Sequence, residues 1–263
     1  MAVATSTLLG RPVWYELMTT DMSAAEAFYK TVVGWTTKPF DGAGQPYLMW
    51  HRPDGTPVGG LMTLPDDLKA HRVPPHWKMY VGVDKLEDAV AHVKRLGGST
   101  VSEVIEVPNV GRMQVVKDPQ GAAFSVYQPS SSPQAPEGPP QLGDTSWIEL
   151  YTTDNLAAMT FYGELFGWKP TEAMDMGPMG VYRMFGRSTQ SMGGMMTKTP
   201  DMAHIPNAWL PYFRVSDVHA AAERVKANAA RVVMGPMEVP GGSWVLQAQD
   251  PQGGTFALHH IKV

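Results

Sequence analysis

The chain repeats itself, and this constrains its folding more than any other feature. Trp14, Glu16, Leu17, Thr19, Thr20 and Asp21 recur at one constant offset as Trp147, Glu149, Leu150, Thr152, Thr153 and Asp154. Phe28-Tyr29 and Gly34-Trp35 follow in the same register as Phe161-Tyr162 and Gly167-Trp168. After a slip of one residue the match resumes. Trp77 aligns with Trp209, Val93-Lys94 with Val225-Lys226, and Glu106-Val107-Pro108 with Glu238-Val239-Pro240. The last shared motif is Asp118-Pro119-Gln120-Gly121 against Asp250-Pro251-Gln252-Gly253. Between the copies, Pro129 to Gly143 carries five prolines and no large aromatic residue, which favours an extended, solvated linker. A first domain is therefore expected over 10–128, a Pro-rich linker over 129–143 and a second domain over 144–263.

Each copy carries two helix signals. Asp21 is a good N-cap; Ala25, Phe28, Tyr29 and Val32 follow at helical spacing, and Gly34 supplies a left-handed stop. Ala158, Phe161, Tyr162 and Leu165, closed by Gly167, repeat the pattern. A second stripe, Leu86, Ala89, Val90 and Val93, ends at Gly97-Gly98 and recurs as Val218, Ala221, Ala222 and Val225. A short strand precedes each helix, as at Val13 to Thr19 and Lys78 to Val83, and short β-rich runs broken by Gly, Pro and Asp follow it. The unit is βαβββ, used four times. One such unit has too little core to stand alone, so units must pair.

Composition narrows the function. With a net charge of -4 and 17% charged residues, the chain shows no electrostatic footprint for nucleic acid or an anionic membrane. It contains no cysteine, hence no disulfide framework and no thiolate chemistry, which is compatible with a cytoplasmic location. No segment approaches transmembrane length, and the N-terminus lacks the basic start of a signal peptide. Eighteen Met and eight Trp are the kind of residues that fill cores or line adaptable pockets. Gly59-Gly60 and Gly193-Gly194 fall within strand patterns, where bulges or close backbone approach are expected rather than phosphate binding.

Three motifs, namely Asp21 to Trp35, the apolar strand Met79 to Asp84, and Asp118-Pro119-Gln120-Gly121, make the chain resemble the vicinal oxygen chelate superfamily. That superfamily includes glyoxalase I, bleomycin resistance proteins and extradiol dioxygenases. The duplicated Trp-x-Glu-Leu start is similar to its tandem glyoxalase-like group. The resemblance implies an α+β fold: four βαβββ units forming two tandem glyoxalase-fold domains, each a curved mixed sheet around a cavity with helices outside. In metal-dependent relatives a His precedes the helix-starting Asp by seven residues, and a Glu follows the Asp of Asp-Pro-x-Gly by seven. Those positions here hold Trp14, Trp77, Trp147, Trp209, Ser125 and Ala257. Indole cannot ligate a metal at neutral pH, so the expectation is no metal, no other cofactor, and a pocket floor filled or reshaped by Trp.

Strand alternation puts Glu16 and Met18 on the face of Trp14, with Tyr15 and Leu17 toward the helix. Glu16 and its repeat Glu149 are candidate acid or base groups, and the alternative for each is a structural pair or cap. Arg112 is a candidate partner for that carboxylate or for an anionic ligand, and its counterpart is Trp244. His259 could serve Glu149, while Ser125 and Tyr127 are candidate contacts near the ends of strands. The expected ligand wall also includes Trp77, Met79, Trp147, Tyr151, Trp209 and Phe213. The expected function is binding of an apolar or aromatic metabolite, by a monomer or homodimer. A metal-independent lyase, isomerase or hydroxylase-like enzyme using Glu16 or Glu149 is the alternative, followed by a metal-dependent glyoxalase or dioxygenase.

Overall fold

The computed structural model covers residues 8–131 and 138–262. Four βαβββ units follow one another, the second with four strands rather than three after its helix. The first is β1 (Pro12–Thr19), α1 (Met22–Val32), β2 (Thr36–Pro39), β3 (Tyr47–His51) and β4 (Pro57–Thr63), after which a short helix not anticipated from the sequence, α2 (Asp66–Ala70), leads onward. The second is β5 (His76–Gly82), α3 (Leu86–Arg95), β6 (Ser99–Thr100), β7 (Ile105–Val107), β8 (Gly111–Lys117) and β9 (Ala123–Pro129). The third is β10 (Thr145–Thr152), α4 (Asn155–Phe166), β11 (Lys169–Asp175), β12 (Val181–Gly186) and β13 (Gly193–Thr197). The fourth is β14 (Ala208–Arg214), α5 (Val218–Ala227), β15 (Arg231–Glu238), β16 (Trp244–Gln249) and β17 (Thr255–His260). No described helix is long and apolar enough to cross a membrane.

The helix signals act as read. Asp21 accepts a hydrogen bond from the Ala24 amide at 3.0 Å, and α1 buries Ala25, Phe28, Tyr29 and Val32. Asp154 caps α4 through the amides of Leu156 and Ala157, and Gly167 closes it in the left-handed region at φ 72°. The two later helices differ at their starts. Asp217 caps α5 with its side chain, whereas the residue before α3 is Lys85 and makes no such bond.

By contact the chain divides into two compact units, and each draws on both copies of the repeat. One comprises the described residues of 14–78, 138–147 and 210–263; the other comprises those of 1–13, 79–137 and 148–209. In the first unit strands run β2-β3-β4-β1 and β14-β17-β16-β15. The β1/β4 and β14/β17 pairs are parallel and the rest antiparallel. In the second, which holds β5 from Met79 and β10 from Ile148 onward, the orders are β5-β9-β8-β6, with β7 beside β8, and β11-β12-β13-β10. Each unit is thus α+β with mixed strand pairing.

Aromatic side chains fill both cores. In the first unit Tyr29 lies 5.3 Å from Trp77 and 5.2 Å from Phe256, while Phe213 lies 4.7 Å from Trp35 and 4.8 Å from Trp77, between ring centroids. In the second Tyr162 lies 5.1 Å from Trp209 and 5.5 Å from Phe124, and Phe185 stacks on Trp168 at 4.6 Å. Offset and edge-to-face pairs of this kind add about 0.5–1.5 kcal/mol each beyond area burial.

One polar chain runs through each core. The Trp77 indole donates to the Tyr29 hydroxyl at 3.0 Å, and that hydroxyl donates to Asp250 Oδ2 at 3.0 Å. The other Asp250 oxygen accepts the amides of Gln252 and Gly254 at 2.9 and 2.8 Å. The second unit repeats it: Trp209 donates to Tyr162 at 2.9 Å, Tyr162 to Asp118 at 3.0 Å, and Asp118 holds the amides of Gln120 and Ala122. The repeated Phe-Tyr and Asp-Pro-Gln-Gly motifs therefore meet across copies, which satisfies polar groups that burial would otherwise penalise.

Of the Pro-rich stretch, 132–137 lie outside the described residues. The following segment is exposed at 138, 139, 141 and 142 and is tied down at its end, where the Gly143 amide donates to Arg214 O at 2.8 Å and Trp35 donates to Gly143 O at 2.9 Å. Gly143 sits at φ 86°, and a Cβ there would meet the Trp35 ring at 2.8 Å, so this position needs glycine.

Candidate functional site

In the first unit a polar cluster forms on the sheet face away from the aromatic core. Trp77 contacts Tyr29 of α1, so alternation along β5 turns Lys78 to the opposite face, where its Nζ meets Glu16 Oε1 at 2.9 Å. Both side chains are only 7% exposed, which makes this a buried ion pair. The second Glu16 oxygen accepts from the Tyr47 hydroxyl at 3.0 Å, and Trp14 donates its indole N–H to that same hydroxyl at 3.0 Å. Burial, reinforced by the Glu16 charge, raises the Tyr47 pKa and keeps the phenol protonated. Below this chain Met18 packs with Met62 and Leu64, flanked by Tyr47 and Leu68. Tyr47 also lines a surface cleft of about 470 Å³ with Met22, Phe40, Gln45 and Leu48, so it stands between solvent and the buried carboxylate.

Glycine makes room for this arrangement. Gly60 pairs with Glu16 across β1 and β4, and a Cβ on it would lie 1.8 Å from the Tyr47 oxygen. Gly194 pairs with Glu149 in the second unit, and its Cβ would lie 2.1 Å from Tyr182 Cζ. Gly59 and Gly193 would instead collide with the carbonyls of Tyr15 and Ile148, at 2.4 and 2.3 Å. The two Gly-Gly pairs are sites of close approach, one residue for the neighbouring strand and one for a tyrosine. Gly60→Ala is expected to expel Tyr47 and cost about 1–3 kcal/mol. Urea denaturation should show a smaller loss for the same change in a Tyr47→Ala background; equal losses in both would sink the steric account.

Of the other candidate residues, Trp77, Trp209 and Phe213 lie in the aromatic cores, and Met79, 3% exposed, shares the Trp77 side of β5. Trp77 is turned away from the polar cluster for a simple reason: on β5 the face opposite the core belongs to His76 and Lys78, one residue to either side of Trp77. Arg112 pairs with Glu87 at 2.7 Å, and the cation on Glu16 is Lys78. Tyr127 donates to the Val110 carbonyl at 2.8 Å. Ser125 is fully buried, and its Oγ makes no hydrogen bond. Glu149 and Tyr151 are buried, while Trp147 is partly exposed. His259 Nδ1 lies 2.9 Å from Ser146 Oγ, and burial lowers its pKa to about 4, aided by His260 and Arg214, which leaves it neutral at pH 7.

Tyr47, Lys78 and His76 are the site residues that sequence reasoning passed over. A Tyr shortly before each Gly-Gly, at 47 and 182, was the one available signal for the first.

Coordination of the kind that the family resemblance implies does not fit this donor set. Among the described residues no three His, Asp or Glu side chains converge on one point, and both Glu16 oxygens are engaged by Lys78 and Tyr47.

The comparisons agree with the fold. Residues 14–127 match the model of a glyoxalase-like domain, and 145–258 match the model of the glyoxalase/bleomycin resistance protein/dioxygenase superfamily. The "Putative glyoxylase CFP32" of Mycobacterium bovis is 31% identical over 95% of this chain and 94% of its own length. The anthracycline biosynthesis protein DnrV of Streptomyces peucetius is 26% identical over 96% and 94%. Among solved structures, the 2,3-dioxygenase LapB from Pseudomonas sp. KL28 superposes with a TM-score of 0.68 at 15% identity, covering 98% of this chain and 94% of that one, a likeness of fold.

Proposed function

The chain belongs to the glyoxalase/bleomycin resistance protein/dioxygenase superfamily, and from that premise we propose that it binds an apolar or aromatic metabolite through organic side chains alone, the metal ligands of the fold having been replaced. The observation that carries this reading is the buried Glu16–Lys78 pair beneath the partly exposed Trp14. Replacing such a pair by apolar residues of similar volume is often neutral or stabilising, so stability alone gives little reason to keep it. A few fixed polar groups set in an apolar wall, here Met18, Met62 and Leu64, are what orients a small ligand. The name of the relative DnrV, an anthracycline biosynthesis protein, supports a polycyclic aromatic metabolite as the ligand class.

Native mass spectrometry and elemental analysis of one purified sample test this. A bound organic species without stoichiometric metal is the expected result. One equivalent of tightly bound manganese, iron, nickel or zinc would overturn it and move a metal-dependent enzyme to first place.

A further inference from the structure

His76 opens β5 two residues before Lys78, so the two side chains share the sheet face that carries Glu16. Its Nδ1 lies 2.8 Å from the Pro74 carbonyl. A carbonyl only accepts, so Nδ1 carries the hydrogen and the tautomer is fixed, which makes Nε2 an acceptor with a lone pair. The cluster beside it is rich in donors: Lys78, Tyr47 and the indole of Trp14 all donate. Its carboxylate, Glu16, is already engaged by two of them, whereas the imidazole nitrogen offers a further acceptor beside them.

Resting on the binding reading above, we propose that His76 Nε2 accepts a hydrogen bond from a ligand hydroxyl, so that the site selects phenols or enols over their alkyl ethers. An ether of the same shape brings no hydrogen and leaves the ring nitrogen unmatched. The preference carries a pH signature. Among the described residues, the charged groups acting on His76 are Lys78 on its own strand and Glu16 on β1, the latter hydrogen-bonded by Tyr47 of β3. Burial lowers the His76 pKa, and Lys78 lowers it further, against the opposing effects of the Pro74 hydrogen bond and of Glu16. The acceptor is therefore present at neutral pH and is lost as pH falls through that lowered value.

The test compares binding of a naphthol and its methyl ether to the full-length protein by fluorescence titration. The wild type should favour the naphthol roughly tenfold, the worth of one net hydrogen bond. His76→Leu should bind both alike. His76→Gln places an amide oxygen near the position of Nε2, so it should keep the preference while losing the decline in acid. Equal binding of both compounds by the wild type, or a preference that survives in His76→Leu, overturns the role of His76 and leaves the binding site standing. Failure of the wild type to bind either compound overturns the site itself and the proposal with it.

Discussion

Lys78→Met should destabilise the protein by about 3–5 kcal/mol, the usual cost of removing one partner from a buried ion pair. Glu16 is buried with only 7% of its side chain exposed, and the substitution takes away the ammonium 2.9 Å from its Oε1. Methionine matches the lysine stem in length, so the loss reports charge rather than a cavity. The double variant Glu16→Gln/Lys78→Met removes both charges, while the amide oxygen still accepts from Tyr47, and it should recover most of the stability. Urea unfolding of the two variants and the wild type, extrapolated linearly, measures both steps. A neutral single variant would mean that water reaches the pair and that the site is not the dry, preorganised one argued here.

Asp250→Ala is expected to cost about 3 kcal/mol or more, because it orphans several buried donors at about 1–3 kcal/mol each. The carboxylate accepts from the Tyr29 hydroxyl and from the amides of Gln252 and Gly254, and Tyr29 in turn accepts from Trp77. Asp118→Ala should behave alike, since it faces Tyr162, Gln120 and Ala122. Tyr29→Phe keeps the turn and breaks only the inner links, so a smaller loss is expected. Burial raises the pKa of both Asp118 and Asp250. Their contribution therefore favours the fold at low pH and is lost as pH rises through the folded pKa, so neither group drives acid unfolding. A change below about 0.5 kcal/mol for Asp250→Ala, the range of ordinary surface substitutions, would show that the chain of hydrogen bonds is incidental.

The repeat, the caps and the helical stripes were legible because they are local: Asp21 and the buried stripe Ala25, Phe28, Tyr29, Val32 act through residues three or four apart. From these the βαβββ unit and its four uses followed. Of the two roles expected at the Gly-Gly pairs, close backbone approach is met at Gly59 and Gly193, whereas Gly60 and Gly194 clear a tyrosine ring, which the sequence did not reveal. The family resemblance rested on the same local motifs. What the Trp residues do was not legible. Composition and spacing cannot tell which sheet face a side chain takes when one residue of register reverses every face, and on β5 that one residue separates Trp77 in the core from Lys78 beside Glu16. The partner of Glu16 lies far along the chain, and the partner of Tyr29 is 221 residues away at Asp250. Such pairs exist only once strands have found their register and units from opposite copies have packed, so the sequence by itself determined the repeating elements and their hydrophobic faces. Tertiary structure decided which polar groups those faces enclose, because burial and partnership are properties of the packed chain.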